Sequence, residues 1–155
     1  MGLTLQFAIG NRDVIIDAIK NFDLDYFDNL ETQNNLSDFS LHLIPNDLNF
    51  LVNSATELKG IPIFGLREYL DTEISCFDSE ERGGYLVNPI IKVLFSDFEI
   101  DETLSLTKKW FDKMNLEYND NLEVTDDAIS AVKNLVLICK DAESLNLDLV
   151  HFWYL

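Results

Sequence analysis

Positive charge is what this sequence most lacks. Eleven lysines and arginines stand against 28 aspartates and glutamates, giving a net charge of −17 over 155 residues. Binding to DNA or RNA phosphates requires a basic patch, and an anionic membrane surface attracts basic segments. Neither nucleic acid nor membrane is therefore an expected partner. Cysteine is scarce as well. Cys76 lies in a mixed segment and Cys139 in an apolar one, which makes no disulfide framework and no CxxC pair for structural zinc. No apolar run approaches the ~20 residues of a membrane span. The opening MGLTLQFAIGNRD has neither the basic start nor the cleavage pattern of a secretory signal, and Gln6 stands where myristoylation needs Ser or Thr. The expected location is the cytoplasm, with both thiols reduced and a monomer as the default state.

Motifs that name a chemistry are missing too. The only histidines are His42 and His151, and neither belongs to an HExxH pattern. Asp23, Asp25 and Asp28 lack the central glycine and terminal glutamate of a calcium loop, and the stretch 120–127 also lacks the glycine. Gly83 and Gly84 follow Arg82 with no GK[ST] or GxGxxG context, and GxSxG and kinase patterns are absent. No metal, cofactor or catalytic residue is expected. The enzyme alternative rests on His42 and His151, which could form an acid/base pair if their strands were adjacent.

What is present is a core. Apolar residues make up 47% of the chain and aromatic ones 12%, too much for a disordered acidic tail, and the length suits one domain with one core. The strongest local signal is 125–140, TDDAISAVKNLVLICK. Its apolar residues exceed one helical stripe, which predicts a largely buried helix, with Thr125 as N-cap, Asp126 and Asp127 on the first turn and Lys140 on the last. Period-two alternation predicts strands over 3–9, 39–44 and 147–154, the last so apolar that it belongs between other strands.

Helical spacing predicts helices over 12–21, from Asn46 to Lys59 with Gly60 beyond, over 89–98 after Pro89, and from Asp101 through Trp110, Phe111 and Met114. A short helix is expected over 66–71. The aromatic run around Phe22 to Leu30 reads as an irregular or short helical element, 115–124 as an acidic linker, and DSEERGG, 78–84, as an exposed loop. Three or four strands mixed with five or six helices predict an α+β fold in one domain.

Function must then be read from charge. No Lys or Arg occurs between Lys20 and Lys59 or between Lys113 and Lys133, while acids accumulate in both stretches and around 97–102. Such charge costs stability through self-repulsion, and a strongly basic partner is a functional reason to keep it. Trp110, Phe111, Trp153 and Tyr154 could line a ligand cavity, although aromatics at these spacings more often build the core. This small, acidic, single-domain α+β pattern without a catalytic signature resembles the bacterial immunity proteins that neutralise toxins of contact-dependent inhibition and polymorphic toxin systems. The resemblance implies a cognate toxin, a basic nuclease being the obvious kind, blocked by carboxylates with aromatic anchors nearby. The candidate surface is Asp23, Asp25, Tyr26, Asp28, Glu31 and Asp38, with Asp78, Glu80 and Glu81 of the loop second. The alternatives are a small-molecule-binding domain or another acidic cytosolic domain whose charge serves only solubility and, behind these, a His-dependent hydrolase.

Overall fold

The computed structural model describes residues 2–62 and 70–155. In chain order the elements are β1 (Thr4–Gly10), α1 (Arg12–Asn21), α2 (Leu24–Thr32), β2 (Leu36–Asp38), α3 (Pro45–Lys59), β3 (Leu70–Asp78), β4 (Arg82–Val87), α4 (Pro89–Ser96), α5 (Thr103–Tyr118), α6 (Asp126–Leu145) and β5 (Asp148–Tyr154). The strands form one antiparallel sheet in the order β2-β1-β5-β4-β3. The last strand thus lies between the first and β4, as its double-sided apolar character requires. The fold is α+β, with one more strand than the higher expectation.

Alternation divides the sheet residues between two helical layers. Leu5, Phe7, Ile9 and Leu149 face the larger cluster built with α3, α4, α5 and α6, while Ala8, Val150 and Phe152 face the smaller one, filled by Ile15, Ile16, Ile19, Phe27 and Leu30 of α1 and α2. The helix α6 anchors the larger layer and buries one broad face from Ala128 to Ala142, while Ser130, Lys133, Asn134, Leu137 and Asp141 stay exposed. Thr125 caps it by accepting the Ala128 N–H at 3.1 Å. It runs five residues past Lys140 to an Asn146 cap in the left-handed region. Lys140 is therefore a mid-helix residue, and its ammonium donates to the Ser96 carbonyl on α4 instead of closing the helix end.

The segment 39–44 is not a strand. Pairing of β1 with β2 ends at Asp38, where the Asp38 carboxylate accepts the Ser40 N–H and the Ser40 hydroxyl takes the Leu5 N–H that a continuing ladder would have used. Side chains that compete for backbone groups turn the chain in this way. Two more local readings are corrected. The acids and glycines of 78–84 make a tight β3–β4 hairpin, and Gly83 and Gly84 belong to β4. A Cβ on Gly84 would stand 2.5 Å from Ile19 Cδ1, so this glycine admits α1 against the sheet. The acidic linker begins later than expected, because α5 continues to Tyr118. There Asn115 accepts the Leu122 N–H at 2.7 Å and donates to the Leu122 carbonyl at 3.0 Å, which folds the following loop back on the helix. Of the short helix expected over 66–71, residues 66–69 lie outside the described residues and the last two belong to β3.

Candidate functional site

The first-choice carboxylates ride on α2. Asp23 caps it, accepting the Tyr26 N–H at 3.1 Å, and Phe27 and Leu30 bury its inner face. Phe27 stacks on Phe152 of β5 with ring centroids 5.1 Å apart. The helix enters beside β5, where Phe22 meets Tyr154 edge-on at 5.2 Å, and leaves at the β2 edge, where the Leu30 carbonyl accepts the Asn35 N–H. Asp25, Asp28 and Glu31 are therefore carried, exposed, across the outer face of the smaller layer. Asp38 extends the row on the edge strand, opposite Gln6 on the same side of the sheet. None of Asp23, Asp25, Asp28, Glu31 or Asp38 has a cation within 4.0 Å among the described residues. The last turn of α2 has no basic residue to offset the negative end of its dipole.

Tyr26 is half-buried, and burial pushes its hydroxyl pKa up. It borders a cleft of about 450 Å³ with Gly10, Asn29, Gln33 and Asn35. It can serve as an anchor only through that cleft, since its ring is otherwise packed beside Phe27.

The hairpin acids differ in kind. Glu81 pairs with Arg82 at 3.6 Å, and Asp78 is engaged by the Tyr85 hydroxyl. Arg82 donates to the Lys20 carbonyl at 3.0 Å and lies over the Phe22 ring, 5.6 Å from its centroid. The hairpin is thus fastened to the end of α1 beside Asp23, and Glu80 is its one carboxylate without a partner among the described residues. The acids of both sets are exposed and Tyr26 is half-buried; sequence reasoning could not separate engaged from unengaged acids, a distinction that long-range contacts make.

The histidines share no open cleft. His151 is 2% exposed, packs at 4.8 Å against Phe7, and faces the Gln6 carbonyl through Nδ1 at 3.1 Å. A carbonyl only accepts, so Nδ1 carries the proton; burial lowers the pKa of the ring to about 4 and keeps it neutral. His42 is exposed on the 39–44 segment with φ of 60°. The aromatic quartet does not gather around one cavity either. Trp110 is core, donating Nε1–H to the Asp47 carbonyl, Tyr154 stacks under Phe27, and Trp153 is half-buried against the larger cluster.

Phe111 lines a groove of about 500 Å³ between residues 41–44 and the end of α5. Its walls are Leu41, Leu43, Ile44, Phe111, Met114 and Leu122, with His42, Asp47, Tyr118, Glu123 and Thr125 as polar members. Sequence reasoning missed this site because it required 39–44 to stay in the sheet.

Cys76 is exposed and Cys139 buried, and no disulfide joins them. Among the described residues no group of three or more His, Cys, Asp or Glu side chains could hold a metal ion, and no helix is long and apolar enough to cross a membrane. No family model, curated protein or solved structure matches the chain.

Proposed function

We propose that the chain is a stoichiometric, non-catalytic binder of a basic protein, of the immunity-protein kind, which blocks a toxin's active site or substrate groove with the carboxylates of α2. The observation that carries this reading is the row of Asp25, Asp28 and Glu31, exposed on a helix pinned down by Phe27 and Leu30 and unpaired with any cation among the described residues. Fixed, unneutralised charge on a rigid element suits a partner whose own surface must attract phosphates, as that of a nuclease does. Complementary fields of this kind raise association rates toward ~10⁸ to 10⁹ per molar per second at low salt, which favours capture of a toxin before it acts.

The test is capture of basic proteins from the source organism on the immobilised chain, washed through a salt series. One partner retained at moderate salt, and released by the combined Asp25→Asn, Asp28→Asn and Glu31→Gln variant but not by a hairpin Glu80→Gln variant, is the expected result. Retention unchanged by the triple variant, or only heterogeneous binding that fades with salt, would overturn the proposal.

A further inference from the structure

We propose that the groove between residues 41–44 and the end of α5 binds a small amphipathic organic cation, its ammonium seated at Asp47 and Tyr118 and its apolar body against Leu43, Phe111, Met114 and Leu122. The volume of about 500 Å³ falls within the ~300–1,000 Å³ of small-molecule sites, and the composition follows their pattern of apolar walls with a few converging polar groups. Ile44, Tyr118 and Leu122 are each more than 40% exposed on its rim, so the apolar surface faces solvent instead of closing on itself.

The charge of the occupant follows from the carboxylate. Asp47 is 6% exposed, and no side-chain cation lies within 4.0 Å of it among the described residues. One of its oxygens accepts the Tyr118 hydroxyl at 2.7 Å and the other accepts the Ile44 N–H at 2.9 Å. The second contact ties the carboxylate to the first turn of α3. Each oxygen retains a free lone pair, and no lysine or arginine among the described residues pairs with the carboxylate.

The lining includes the His42 imidazole but no lysine or arginine. Glu123 lines the groove, Glu117, Asp120, Asp126 and Asp127 stand exposed nearby in sequence with no ion pair among the described residues, and Lys113 is occupied by Glu57 at 2.7 Å. The Tyr118 hydroxyl is pushed up in pKa mainly by its bond to Asp47. An anion is repelled from such a site, a neutral ligand gains only burial, and an ammonium gains burial, a charge-assisted hydrogen bond and the faces of Tyr118 and Phe111.

The experiment is isothermal titration of the full chain with three probes of one shape: phenylbutylamine, phenylbutanol and phenylbutanoate. The amine is expected to bind saturably at one equivalent, about tenfold or more tighter than the alcohol, with no measurable binding of the carboxylate. Asp47→Asn is expected to erase the preference for the amine. Because Asp47 also caps α3, a second variant, Leu122→Trp at the exposed rim, fills the groove and is expected to abolish binding of every probe while the urea midpoint stays unchanged. Equal binding of amine and alcohol, absence of amine binding, or amine binding that survives Leu122→Trp would overturn the proposal. The α2 proposal stands or falls separately: its triple variant leaves amine binding intact, and Leu122→Trp leaves capture on α2 intact.

Discussion

Protonation of one buried imidazole should dominate the acid sensitivity of this fold. His151 lies in the central strand with its Nδ1–H directed at the Gln6 carbonyl, and burial lowers its pKa from 6.5 to about 4. In the unfolded chain the ring takes up a proton near pH 6.5, and in the folded chain only near pH 4. Between these values the unfolded state binds more protons, so stability rises with pH across that window and falls on acidification. At about 1.4 kcal/mol per unit of pKa difference, His151 removes about 2 kcal/mol by pH 5 and about 3 kcal/mol by pH 4, out of a total of roughly 5–15 kcal/mol.

The assay is urea unfolding of the wild type and of His151→Asn, followed at intervals from pH 8 to pH 4. Asparagine keeps a donor for the Gln6 carbonyl and cannot titrate. The variant starts less stable because it is smaller, and its curve should then be flatter than that of the wild type by about 3 kcal/mol between pH 7 and pH 4. Parallel curves for the two proteins would refute the assignment of a neutral, buried His151. The carboxylates do not confuse the comparison, since they are common to both chains.

Three further outcomes follow from particular contacts. Gly84→Val should destabilise the fold by about 1–3 kcal/mol through overpacking between β4 and α1, read as a lower urea midpoint, because even a Cβ there would crowd Ile19 and Ile16. Glu57 bonds Lys113 at 2.7 Å and Lys109 at 3.1 Å, and these two ammonium groups hold its pKa below the usual carboxylate value; that contribution is present above pH 4.5 and is lost as pH falls through the lowered value. Glu57→Gln should cost about 0.5–1 kcal/mol at low salt and less at high salt. Neutralising Asp25, Asp28 and Glu31 together should leave the urea midpoint within about 0.5 kcal/mol per site, since their side chains stand in water, and should change only partner capture.

The elements legible in the sequence are those whose signals are local. Thr125, Asp126 and Asp127 set the start of α6 within one turn, and the double-sided apolar tail from Leu149 to Trp153 required a central strand, which it is. Scarcity of lysine and arginine likewise marked α2 as a strip of exposed negative charge. Elements decided by partners distant in sequence were not legible. The alternation of 39–44 reads as a strand, but Ser40 takes the Leu5 N–H and ends the pairing, and the freed segment becomes one wall of the groove.

Composition and periodicity determined the fold class, the start of α6, the place of β5 and the acidic skin, because helix caps, alternation and net charge depend on neighbours a few residues apart or on simple sums. Tertiary structure alone decided that Gly84 is a packing surface for α1, that Arg82 ties the hairpin to Phe22, that His151 is sealed and His42 exposed, and that Asp47 meets Tyr118 across 71 residues of chain. Each of these depends on which surfaces the folded backbone brings into contact, and no local pattern encodes that.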